Sequence, residues 1–234
     1  MSKWTYQSSG GENYPVAPGD TWAVGSHILM CADLEDGAGL ALLDLTGDPD
    51  VVYVDPPWNA GLARGFRTKA GVDGDAGGRK VDVWGSLHAR IFDVCARARL
   101  GAWVEGSLVH KAEILAAASK AGARLWKEWE ITYYQTSPAY LAHFLWHSAP
   151  DAMPPDLAGQ DDEDTPRIAL QWMMAIGALL PGQLVIDPCT GLGLTGTTAA
   201  SLGLRFAGTE LSPFRMSGAL TALAKATGLE PQRI

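Results

Sequence analysis

Val51-Val52-Tyr53-Val54 runs directly into Asp55-Pro56-Pro57-Trp58-Asn59. Two consecutive prolines cannot continue a β-ladder, so the apolar strand must stop there, with its last backbone carbonyls unpaired and available. A second apolar run, Leu184-Val185-Ile186, ends in a related way, in Asp187-Pro188-Cys189-Thr190-Gly191-Leu192-Gly193. Around these two stretches the chain alternates, from about residue 21 onward, between short β-branched runs and longer helical periodicities. That alternation predicts an α/β fold with a mostly parallel sheet. Strands are predicted at 27–31, 51–54, 101–105, 129–134, 140–147, 184–186 and 205–208, and helices at 86–98, 111–121, 166–180, 194–202 and 214–227. Pro166 suits the first turn of its helix, and Gly203 and Gly228 suit helix ends. Ligands of an open parallel sheet bind beyond the carboxyl ends of its strands, so both Asp-Pro ends are expected at one crevice.

The first strand end has the residues needed to methylate an exocyclic amine of a nucleobase. The amine lone pair is delocalised into the ring, and a site must draw it out by accepting hydrogen bonds from both N–H groups. Asp55 and the Pro56 carbonyl are a pair of such acceptors. The base must also leave its stack, and an aromatic face compensates by about 1–3 kcal/mol. Trp58 supplies that face, and Asp55, Pro56, Pro57 and Trp58 are the candidate catalytic residues. Residues 59–80, glycine-rich and locally basic, read as a mobile loop in which Asn59, Arg64, Arg67 and Lys69 would contact substrate. Glu105 ends another predicted strand and is expected to point at the same crevice.

The second strand end suits a nucleoside-bearing cofactor. Gly191 and Gly193 permit a tight turn with a ligand against the backbone, and Asp187 is placed to receive an ammonium group. Glu210 ends the next strand, where an acidic residue holds ribose hydroxyls in such folds. Gly196 completes a GxGxxG spacing, which keeps NAD as a minor alternative, although the Asp-Pro-Pro-Trp element has no role in hydride transfer.

Together the two elements resemble the beta-class amino methyltransferases of DNA, in which a DPPY-type catalytic motif precedes a DPFxGxGT cofactor motif. The resemblance extends to Pro18-Gly19-Asp20-Thr21-Trp22, to Cys31-Ala32-Asp33 and to Thr165-Pro166-Arg167. It implies a Rossmann-like methyltransferase fold with a seven-stranded, mostly parallel sheet, helices on both faces and a permuted motif order. It also implies S-adenosyl-L-methionine as cofactor and DNA as partner, with no metal. Asp33 would contact the cofactor adenine, Thr165 and Arg167 its carboxylate, and Pro188 and Cys189 its surroundings. Adenine N6 is favoured over cytosine N4, because the family's cytosine members more often begin the motif with Ser. The chain departs from the family in Cys189 for phenylalanine, in Leu194 for threonine, and in the missing His and Lys of the segment around Thr165. Its room for target recognition is confined to the acidic residues 148–164.

Bulk properties set limits on this reading. The chain has 234 residues, 47% of them hydrophobic, enough for one sizeable core, predicted as one domain over 20–234 behind a poorly ordered arm at 1–19. Three scattered cysteines, no apolar run long enough to span a bilayer and no secretory signal lead to the expectation of a reduced, cytoplasmic protein. A net charge of -8 opposes nucleic-acid binding, which draws on Lys and Arg, so any basic footprint must be local. Two alternatives follow: action on single strands or nucleotides, and a non-catalytic methyltransferase-like subunit. A homodimer or a separate recognition protein is a family-based expectation.

Overall fold

The computed structural model describes residues 14–71, 83–133 and 136–234. In chain order its elements are β1 (Thr21–Val24), β2 (His27–Cys31), α1 (Ala38–Thr46), β3 (Val51–Val54), α2 (Ala60–Lys69), α3 (Val83–Cys95), β4 (Ala102–Ser107), α4 (Lys111–Lys120), β5 (Arg124–Tyr133), β6 (Ser137–Leu145), α5 (Thr165–Ala175), β7 (Leu184–Asp187), α6 (Leu194–Ser201), β8 (Arg205–Glu210), α7 (Pro213–Thr227) and β9 (Gln232–Arg233). All strands join one sheet in the order β5-β6-β4-β3-β7-β8-β2-β1-β9.

The expectation of seven mostly parallel strands needs correction. Among the described residues the sheet has nine strands, and the pairings divide evenly. The central run β4-β3-β7-β8-β2 is parallel, whereas β6 pairs antiparallel with β4 and β5, and β1 with β2 and β9. Connection length decides this. A parallel pair needs a crossover of a dozen or more residues, while β1 and β2 are joined by the tight turn at Gly25-Ser26, which only an antiparallel pair can use.

Helices on both faces are observed, and the strands show why. Along β3, Val51 and Tyr53 point into a core that includes Leu170 and Met173 of α5, Ala199 of α6 and Leu220 of α7. Val52 and Val54 point into the opposite core, with Leu42 of α1, Ala63 of α2, Phe92 of α3 and Ile114 of α4. The period-two alternation of a strand thus makes β3 apolar on both faces, as a central parallel strand must be.

Three local expectations also change. The stretch 59–80, read as a loop, begins as helix α2 through Lys69; its residues 72–80 lie outside the described residues. The expected arm 1–19 is packed from Tyr14 on, since that ring contacts Trp22 edge-on at 5.8 Å and the Gly19 amide donates to the Cys31 carbonyl. Residues 1–13 lie outside the description. Finally, the acidic segment is docked: Leu157 is fully buried, and Asp162 is 8% exposed. No helix among the described residues is long and apolar enough to cross a membrane, and no group of three potential metal ligands occurs among them.

Candidate active site

Because β3 lies beside β7, β7 beside β8 and β8 beside β2, four strand ends deliver Asp55, Asp187, Glu210 and Asp33 along one border of the sheet. A cavity of about 660 Å³ opens there, lined by Asp33, Asp55, Trp58, Cys189 and Glu210 among others. That size lies within the range of small-molecule sites.

Asp55 faces the cavity and is accessible through it. Its Oδ1 accepts the Trp58 indole N–H at 2.7 Å, which leaves Oδ2 directed elsewhere. Although the residue is exposed to the cavity, the protein crowded around its carboxyl displaces hydrating water and pushes its pKa up to about 6, against the Trp58 hydrogen bond and the nearby Arg215 charge, which both lower it. The two proline carbonyls are not equivalent. The Pro57 carbonyl accepts the Trp84 indole N–H at 3.2 Å, whereas Pro56 lines the cavity and no group among the described residues donates to its carbonyl. Trp58 also meets Tyr133, at the end of β5, with ring centroids 4.3 Å apart.

Asp187 behaves differently. It is 3% exposed, and its Oδ1 accepts the Cys189 amide at 2.9 Å. Burial raises its pKa to about 7, with Thr195 and the Cys189 amide opposing. Its carboxylate therefore organises its own loop and does not line the cavity. Packing of that loop is close. The Thr190 hydroxyl donates to the Asp187 carbonyl, and a Cβ on Gly208 would fall 1.9 Å from that hydroxyl oxygen, so only glycine fits opposite it on β8. Gly193 enters α6 at φ +88°, and Gly191 turns at φ +58°. Gly196 packs inside α6 against Phe206, where a Cβ would lie 2.8 Å from the ring. The glycine that completes the GxGxxG spacing thus serves helix-to-sheet packing.

Two arginines occupy the acids expected to hold the nucleoside. Asp33 accepts the Glu35 amide with Oδ1 at 3.0 Å and binds Arg67 Nη1 with Oδ2. Arg215, which sequence reasoning missed, has its Nε 3.7 Å from Glu210 and its guanidinium 4.8 Å from the Phe66 ring centroid. No local pattern marks Arg215; only the first turn of α7 against Gly191 brings it into the cavity.

Glu105 does not reach the cavity as expected. At 1% exposure it accepts hydrogen bonds from the hydroxyls of Tyr53 and Thr165, and burial together with the Asp55 charge holds its pKa well above the usual carboxylate range. Thr165 is spent in that network, bonding Tyr53 at 2.7 Å. Arg167 is half-exposed, pairs with Asp164 at 2.8 Å and does not line the cavity. Asn59 caps α2 by accepting the Leu62 amide at 2.9 Å, and Arg64 is exposed outside the lining. Arg67, Lys69, Pro56, Pro57 and Pro188 do line it.

No family model matches the sequence, and no curated protein is similar to it in sequence. Solved structures are similar in fold. The M1.HpyAVI–SAM complex superposes with a TM-score of 0.57 at 14% identity, covering 83% of this chain and 98% of the other. A putative DNA modification methylase from Thermus thermophilus, complexed with S-adenosyl-L-methionine, gives a TM-score of 0.57 at 15% identity over 86% of this chain and 94% of the other. The PvuII DNA methyltransferase (cytosine-N4-specific) gives 0.59 at 12% identity over 84% and 86%. The fold is that of these DNA methyltransferases.

Proposed function

We propose that the chain is an S-adenosyl-L-methionine-dependent methyltransferase acting on the exocyclic amine of a nucleobase in DNA, adenine N6 ahead of cytosine N4. The observation that carries this reading is the pair of acceptors at the end of β3: a cavity-facing Asp55 with one oxygen held by Trp58, beside the undonated carbonyl of Pro56. The names of the structural neighbours support it, two of them being described with S-adenosyl-L-methionine.

The residues present fit the cofactor. The cavity is large enough, and Asp33 and Glu210 both line it. Arg67 and Arg215 lie against those acids, and each has a buried Nε without a hydrogen-bond partner among the described residues. Glu210 and Asp33 would hold the ribose and adenine, and the loop at Gly191 and Gly193 the methionine end; when bound, the cofactor supplies an electrophilic methyl group. Asp55 and the Pro56 carbonyl accept the two amine N–H bonds and so turn the nitrogen lone pair toward the donor. Trp58 stacks on the extruded base. Orientation and proximity of amine and donor methyl would dominate the rate enhancement. Ionised Asp55 is the active acceptor, and a pKa of about 6 leaves it ionised at neutral pH. Glu105, Tyr53 and Thr165 act one layer behind, fixing β3 against β4 and α5.

The test is mass spectrometry of nucleosides from DNA of cells expressing the protein or its Asp55→Asn variant. N6-methyladenine dependent on Asp55 is expected. Dominant N4-methylcytosine would reassign the base, and no methylated nucleoside in DNA, single-stranded nucleic acid or nucleotides would defeat the reading.

A further inference from the structure

Helix α2 lies over the cavity through Leu62, Ala63 and Phe66 and carries Arg64, Arg67 and Lys69. Of these cations Arg67 is turned inward, 14% exposed, against Asp33 and 3.7 Å from Glu35. Arg64 and Lys69 are exposed and make no ion pair among the described residues. Both oxygens of Asp33 already have a donor, Oδ1 the Glu35 amide and Oδ2 Arg67 Nη1. A ligand that donates to Oδ2 would share that oxygen with Arg67 and weaken the ion pair.

We propose that Arg67 is shared between two anions, holding Asp33 in the free protein and passing to a nucleic-acid phosphate when the cofactor takes Asp33. The inference rests on the methyltransferase reading of the cavity. Displaced from Asp33, the guanidinium keeps only Glu35, at 3.7 Å, as a neighbouring anion, weak compensation for its burial, and its Nε has no hydrogen-bond partner among the described residues. Turned outward, it joins the exposed Arg64 one helical turn away on the same face of α2. This resolves the charge problem of a chain with net charge -8: the cation needed for phosphates is stored on an internal acid until the cofactor is in place. Arg215 on Glu210 is a parallel case, with Phe66 of α2 beneath its guanidinium, so both arginines join α2 to the acids of the cavity.

Linkage makes the effect reciprocal, so the two ligands should tighten one another, by about 5-fold or more for a coupling of ordinary size. The experiment measures affinity of the full chain for a short dye-labelled single-stranded DNA, with and without saturating S-adenosylhomocysteine, over a series of salt concentrations. S-adenosylhomocysteine is expected to raise the DNA affinity and to steepen its salt dependence by about 0.7 in the log–log slope, the value of one phosphate on a single strand. In Arg67→Gln, S-adenosylhomocysteine should bind more tightly than in the wild type while the DNA affinity no longer responds to it. Unchanged DNA affinity and slope in wild-type protein that binds S-adenosylhomocysteine would overturn the proposal, as would weaker S-adenosylhomocysteine binding by Arg67→Gln. A wild-type protein that binds no S-adenosylhomocysteine at all would break the cofactor reading itself, a result distinct from either. The wild-type comparison stands even if the variant fails to fold.

Discussion

Two neighbouring strands, β3 and β7, both end in Asp-Pro, and the two aspartates have opposite fates. Asp55 opens into the cavity with one oxygen committed to Trp58, whereas Asp187 is sealed under its own loop, bonded to the Cys189 amide. The residue after the proline makes the difference. A second proline denies Asp55 the amide two residues on that Asp187 uses, since Pro57 has no N–H, so the first carboxylate stays available to a ligand and the second becomes structural.

Substitutions separate these roles. Asp55→Asn should lower methyl transfer by about 10²-fold or more while leaving the melting temperature and cofactor affinity near wild type, as read by labelled-methyl incorporation and thermal unfolding. Retained activity would place the chemistry elsewhere. Asp187→Ala should instead reduce stability by about 1–3 kcal/mol, because buried donors lose their acceptor, with a secondary loss of cofactor affinity. Urea denaturation checks it, and an unfolding midpoint equal to that of Asp55→Ala would erase the contrast.

The pH responses of rate and stability should run in opposite directions. Asp55 must be ionised to accept, so activity should fall roughly tenfold per unit below about pH 6. Asp187 has a folded-state pKa raised to about 7 from an ordinary 3.8, so the folded protein binds more protons between those values. The stability this contributes is fully present below about pH 4 and is lost as the pH rises through 7, so the protein should melt higher at pH 5.5 than at pH 8 in equal salt. The smallest effect is expected from Trp58→Phe, which keeps a stacking ring but removes the N–H bond that lowers the Asp55 pKa. The acid limb of its pH–rate profile should move upward, and an unshifted limb would mean that the indole N–H does not tune the carboxylate.

Strand ends were legible in the sequence because apolar runs and prolines are local signals. Val51–Val54 and Leu184–Asp187 form as the runs imply, and the residues after them meet at one cavity. Helix α2 was hidden by Gly61 and Gly65 and by its many polar residues, although Asn59 as a cap followed by Leu62, Ala63 and Phe66 was a usable signal. Helix α1 is short and flanked by Gly37 and Gly47, and its buried Leu42 and Leu43 are too few to reveal a period. What no sequence pattern carries is the direction of long side chains. Arg167, next to the expected methionine site, turns to Asp164, while Arg215, with no motif to recommend it, enters the cavity. Such choices are decided by ion pairing and by packing between elements distant in the chain.

The docking of residues 157–164 along β5 has a consequence for colloidal behaviour. Gly159 donates to the Glu130 carbonyl, Thr132 to Gln160 and Asp162 to Thr132, so the outer border of β5 is already bonded over its second half. An unpaired border of that kind is the template on which sheets of separate molecules join. Here it is closed by the chain's own segment, with Glu163 exposed beside it, so the backbone groups on which another strand would pair are already taken.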